Sequence, residues 1–149
     1  MIITSHQKRV CLERKNLDLY LGKEKITQTE CEKLLGVYIN ENLSWDPHID
    51  KLCEKLSNKL LLLKRLKIYM DIPTRVLFYN AYIYSSLVYC CTVWGLHSSN
   101  KLNRLFRIQK RAARIIFDNP YDYLHRELFT KLEWLEISNL IHYRSAISS

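Results

Sequence analysis

The chain has 149 residues, the length of one domain and enough to bury a substantial core. Apolar residues make up 48% and charged residues 26%, and only three glycines and three prolines argue against long flexible linkers. The net charge of +8 is uneven: residues 1–45 carry seven basic and six acidic side chains, and residues 46–149 carry sixteen and nine, so the anion-attracting field belongs to the second part.

The first 45 residues read as strands. Ile2-Ile3-Thr4 gives a short β-prone run, and the polar His6-Gln7-Lys8-Arg9 behind it is not the pattern of a secretory signal. Leu17 to Leu21 alternates apolar and polar residues, and Gly22-Lys23 turns the chain into residues 24–27, a hairpin. Residues 33–40 read as a third strand, in which Gly36 marks a bulge or a close backbone approach. From Asp46 the pattern becomes helical. Asp46 can cap, Pro47 suits the first helical position, and Ile49, Leu52, Leu56, Leu60 and Leu63 repeat at helical spacing. Lys51, Lys55 and Lys59 form a ladder on another side. Asp46, Asp50 and Glu54 come early and Lys64, Arg65 and Lys67 late, which suits the helix macrodipole.

Asp71-Ile72-Pro73 interrupts the chain, and Pro73 opens a second helix running to about residue 86. A shorter helical or irregular piece covers 87–94 and stops at Gly95. Residues 76–96 hold no Asp, Glu, Lys or Arg and are long enough to span a bilayer. Asn80, Ser85, Ser86, Thr92 and four tyrosines suit a buried helix pair better than lipid, so no membrane span is expected. Ser98 or Asn100 can cap a third helix that Asn119-Pro120 stops. Two short helices, about 123–132 and 137–146, complete the chain. The fold class is α+β: a small N-terminal antiparallel β piece (1–45) followed by a mainly α-helical bundle (46–149).

The third helix is the most informative element. Between Ser98 and Phe117 it carries Lys101, Arg104, Arg107, Lys110, Arg111 and Arg114 and no acidic residue. At about 100° per residue these six share roughly half the circumference, while Leu102, Leu105, Phe106, Ile108, Ala112, Ala113, Ile116 and Phe117 take the other half. Like charges four apart, Arg107–Arg111 and Lys110–Arg114, repel by a few tenths of a kcal/mol, a cost that a polyanionic partner would reverse. A solvated basic face is the plainer alternative. With the Lys51, Lys55 and Lys59 ladder, these residues are the candidate nucleic-acid contacts. An acidic membrane surface or acidic protein is the second class of partner.

Signatures of other chemistry are missing from the sequence. The five cysteines (11, 31, 53, 90 and 91) are odd in number and form no C-x-x-C, which points to reduced thiols and a cytoplasmic or nuclear setting. His48 with Cys53, or Cys91 with His97, lacks the paired spacing of a zinc site. No glycine-rich phosphate loop, H-E-x-x-H or nucleophile elbow occurs, and none of the six aspartates is adjacent to another. No catalytic or metal residue is therefore assigned. The ten tyrosines and three tryptophans could stack on bases, but Trp45, Trp94 and Trp134 sit at turns and helix ends where aromatics commonly close a bundle.

Lys33-Leu34-Leu35-Gly36-Val37, Leu43-Ser44-Trp45 and His48-Ile49 together resemble the end of the palm in reverse transcriptases of non-LTR (LINE-type, jockey-like) retrotransposons. The resemblance continues, in order, through Arg75-Val76-Leu77-Phe78-Tyr79-Asn80-Ala81, Leu87-Val88-Tyr89-Cys90, Val93-Trp94-Gly95, Leu105, Gln109, Arg111 to Ile116 and Leu132-Glu133-Trp134-Leu135. It implies a palm-edge β segment followed by a thumb and connection that grip an RNA–DNA or DNA template–primer duplex. It also implies an RNA-directed DNA polymerase that uses magnesium ions held by aspartates, including an adjacent pair. No such pair stands in this sequence. The expectation is a truncated transposable-element fragment, without a cofactor of its own and inactive alone. It would retain at most nucleic-acid binding and have the missing palm and fingers as a further partner. The alternative is a helical protein-interaction module or an inert relic.

Overall fold

The structure is a computed structural model that describes residues 19–27, 29–95, 99–118 and 124–147. Its contacts divide the chain into two compact units, with the division between His48 and Ile49.

In the first unit, β1 (Leu19–Leu21) and β2 (Glu24–Ile26) form an antiparallel hairpin with Leu19 opposite Ile26. Gly22 takes the left-handed conformation its turn requires, with φ of 64°. A second hairpin joins β3 (Cys31–Leu34) to β4 (Val37–Asn40), with Cys31 opposite Asn40 and Leu34 opposite Val37. The single strand expected over 33–40 is thus two strands folded at Leu35-Gly36. Both turn residues have positive φ, 48° and 87°, as the tightest hairpin turns demand. Leu35 stands where Asn, Asp or Gly is usual, and this hid the turn in the sequence. The 2–4 run lies outside the described residues.

The helices follow. In α1 (Asp46–Leu66) the apolar repeat Ile49, Leu52, Leu56, Leu60 and Leu63 is buried, as the spacing predicts. A 3₁₀ turn (Lys67–Tyr69) leads to α2 (Ile72–Phe78), whose start is capped by the Asp71 carboxylate accepting the Thr74 N–H at 3.1 Å. The helix continues through a π-helical segment (Tyr79–Tyr84) into α3 (Ser85–Val88). The Ser85 and Ser86 hydroxyls donate back to the carbonyls of Ala81 and Tyr82 at 2.5 and 3.1 Å. Among the described residues no helix is long and apolar enough to cross a membrane. Cys90, in the left-handed region at φ 51°, precedes α4 (Cys91–Trp94). The bundle is completed by α5 (Ser99–Ile116), α6 (His125–Leu132) and α7 (Ile137–Ile147).

The core sits where α5 packs on α2, α6 and α7. Ala113, Leu128 and Phe129 form one buried cluster of it, with Phe106, Phe117, Leu132 and Trp134 packed against them. Tyr79 and Trp134 stack with ring centroids 3.6 Å apart. Trp94 is fully buried and its indole N–H donates to the Tyr89 carbonyl at 2.9 Å. The adjacent Gly95 lies so close to Ile141 that a Cβ there would meet its side chain at 2.6–2.9 Å, so only glycine lets α4 end against α7.

Candidate nucleic-acid interface

α1 and α5 run side by side in the same direction. Near their N-termini Asp50 accepts hydrogen bonds from Lys101 at 3.3 Å and from Arg104. Near their C-termini Asp118 accepts from Lys67 at 2.5 Å and from Arg75 at 2.6 Å. Lys101 and Asp50 are 51 residues apart, as are Asp118 and Lys67, so one constant offset relates the two helices. The cations beside each carboxylate hold it below the usual carboxylate range. For Asp50 the Arg104 hydrogen bond leads, and for Asp118 the Lys67 bond leads, followed by Arg75.

Between these carboxylates lies an open groove of about 1020 Å³. Lys64 and Lys67 line it from the α1 side and Arg107, Lys110, Arg111 and Arg114 from α5, over apolar Leu60, Leu61 and Ile115. Among the described residues, apart from Asp118 no acidic side chain lines it, and no aromatic or amide side chain does. Among the described residues Lys64, Arg107 and Arg111 have no salt-bridge partner, while Lys110 lies 4.5 Å over the Phe106 ring. The arrangement can neutralise a chain of phosphates.

The candidate contacts therefore fall into three groups. Arg107, Lys110, Arg111 and Arg114 meet in the groove. Lys101 and Arg104, on the same helix, are held by Asp50. Lys51, Lys55 and Lys59 lie on another flank of α1 from groove-lining Ser57, Leu61 and Lys64, about 110–170° around the helix from the latter's mean direction. There Lys51 pairs with Glu54 at 3.5 Å and Lys59 lies 4.7 Å over the Tyr82 ring. Lys64 and Lys67 were legible only as charges favouring the C-terminal end of α1, yet they form the groove's second wall.

The comparisons with known proteins bear on what such a groove serves. Over 123 residues the chain is 25% identical to the probable RNA-directed DNA polymerase from transposon X-element of Drosophila melanogaster, a match covering 77% of this chain and 13% of that protein. The sequence is related to the RNA-directed DNA polymerases of non-LTR retrotransposons. A second relative, the probable RNA-directed DNA polymerase from transposon BS of the same fly, is 27% identical over 110 residues, covering 69% of this chain and 12% of that polymerase. The chain thus spans only about an eighth of the length of these polymerases. No family model matches, and no solved structure matches significantly.

Several residues that carry the reverse-transcriptase resemblance serve as scaffold beneath the groove. The Arg75 guanidinium donates to the carbonyls of Lys67 (2.7 Å), Met70 (3.0 Å) and Ile116 (2.8 Å), closing the C-terminal ends of both groove helices. Gln109, 1% exposed, donates to the Leu135 carbonyl at 3.2 Å and the Tyr79 hydroxyl at 3.5 Å and accepts the Ile137 N–H at 2.9 Å. Burial pushes the Tyr79 hydroxyl well above its ordinary pKa, so it stays protonated. Among the described residues no ligand set stands ready for the magnesium ions implied by the resemblance. Among the described residues no three His, Cys, Asp or Glu side chains converge, and Asp50 and Asp118 each already hold two cations. No catalytic step is derived through a metal.

Proposed function

We propose that this chain forms a thumb-like, nucleic-acid-gripping part of an RNA-directed DNA polymerase, holding the sugar–phosphate backbone of a template–primer duplex along the groove between α1 and α5. The observation that carries the reading is the groove itself: cations from two helices converge on it, and three of them have no salt-bridge partner among the described residues. Its sequence relatives, transposon RNA-directed DNA polymerases, support that ligand class. The proposal assigns no polymer synthesis to these residues.

The test is fluorescence anisotropy of an RNA–DNA hybrid across a salt series. Each neutralised phosphate contributes about 0.9 to the slope of log K against log salt, so Arg107→Ala with Arg111→Ala flattens the slope by about 1.8. Lys51→Ala with Lys55→Ala, on the other flank, changes it far less. A flat response in the wild type, or equal losses for the two pairs, overturns the assignment. A protein-contact reading is favoured by one feature, the exposed apolar Ile68, Tyr69 and Leu77 (72%, 81% and 67%). Light scattering on the purified chain detects self-association through them; a clean monomer removes that form of it.

A further inference from the structure

Three lysines that the groove does not use lie beside an exposed aromatic ring. Lys51, Lys55 and Lys59 recur every four residues of α1 and follow a slanting stripe about 12 Å long. The π-helical segment (Tyr79–Tyr84) packs Tyr79 and Ile83 into the core and leaves Tyr82 48% exposed. The Tyr82 ring rests against buried Phe78 with centroids 4.8 Å apart, and the Lys59 ammonium lies 4.7 Å over it. Lys51 shares Glu54 at 3.5 Å, while Lys55 and Lys59 have no salt-bridge partner among the described residues. Residues 76–96, which carry the ring, hold no acidic side chain.

A lysine stripe that leads to an exposed ring matches the chemistry of an unpaired strand: cations follow its phosphates and the ring takes a base. A duplex keeps its bases stacked inside and gains nothing from the ring. Going beyond the groove but resting on the same nucleic-acid reading, we propose that Tyr82, Lys55 and Lys59 form a second site, for single-stranded nucleic acid, with Tyr82 as its stacking platform. In the structure the Lys59 ammonium caps the ring. An exposed cation–π contact favours that capped state by about two- to fivefold, whereas stacking of a base on an aromatic side chain favours binding by about five- to 150-fold. The base therefore displaces the ammonium, and Lys59 moves onto a phosphate beside Lys55. Every base has a π-face, so the site selects an unpaired strand over a duplex and not one sequence over another.

The test is fluorescence anisotropy with two labelled probes of equal charge, decathymidylate and an abasic deoxyribose-phosphate chain of the same length. Their ratio separates stacking from charge. The wild type is expected to bind decathymidylate about tenfold more tightly than the abasic chain. Tyr82→Leu, which keeps an apolar side chain on Phe78, brings the ratio near one, and Tyr82→Phe preserves it. Tyr82→Thr repeats the test should the leucine variant aggregate, with circular dichroism confirming each fold. Lys55→Ala with Lys59→Ala flattens the salt slope for decathymidylate by about 1.4, at about 0.7 per phosphate of a single strand. Arg107→Ala with Arg111→Ala leaves the ratio unchanged. A wild-type ratio near one, a ratio that survives Tyr82→Leu, or one that the groove pair abolishes overturns the platform, while salt-dependent binding of the hybrid by the groove stands. If neither these probes nor the hybrid binds with a salt dependence, the proposed function falls as well.

Discussion

Arg75→Ala is expected to be among the most destabilising single changes in the helical unit. The side chain is 11% exposed and makes three hydrogen bonds to carbonyls, those of Lys67, Met70 and Ile116, besides its pair with Asp118. Each carbonyl bond contributes about 1 kcal/mol net, giving about 3 kcal/mol for the three. The Asp118 partner is half exposed, so the ion pair adds at most about 1 kcal/mol after solvent screening. The total, about 3–4 kcal/mol, is a large part of the stability of a domain of this size, about 5–15 kcal/mol. With a urea m-value of about 2 kcal/mol per M, the midpoint falls by about 1.5–2 M. Arg75→Lys retains the charge but not the planar fork and is expected to recover less than half the loss. Urea unfolding followed by circular dichroism measures all three proteins. A midpoint for Arg75→Ala within about 0.5 M of wild type would refute the claim that one guanidinium ties the ends of α1 and α5 together.

Gln109→Leu leaves the Ile137 N–H and the Leu135 carbonyl without their side-chain partner, and a loss of about 2–3 kcal/mol is expected by urea titration; a neutral result would mean that water replaces the amide. Burial lowers the His48 pKa below its ordinary value of 6.5. The unfolded chain then binds more protons than the native one as pH falls below about 6.5, so the contribution of His48 is complete above that pH and is lost toward the lower native pKa. His48→Gln removes this pH dependence of stability, and NMR titration of the imidazole is expected to report a midpoint below 6.5.

Some elements were plain in the sequence because local chemistry determines them. The apolar repeat of α1, the break at Asp71-Ile72-Pro73 and the Gly22-Lys23 turn each rest on residues within one or two turns of each other. The Leu35-Gly36 turn was missed because Leu35 occupies a left-handed position without the usual residue type. The π-helical segment at 79–84 has no compositional mark, since a shift in hydrogen-bond register leaves the residue pattern unchanged. For the groove, a helical wheel identified the basic face of α5 but not the flank of α1 that faces it. Lys51, Lys55 and Lys59 made the more conspicuous ladder, yet packing 51 residues away selects Lys64 and Lys67. Gln109 did leave a signal: a lone amide on the wheel between Leu105, Ala112 and Ala113 has to find partners inside the core.

The common direction of α1 and α5 has a kinetic consequence. Helices joined by a short turn run antiparallel, so two parallel walls require the chain to travel back between them, and here their clamps join residues 51 apart. Closing so long a loop costs chain entropy before any contact repays it. α1 can therefore gain helical structure early, whereas the groove exists only after α5 has docked. Slow refolding variants that retain α1 helicity would accumulate a species with its cations present and its anion-binding cleft still unbuilt.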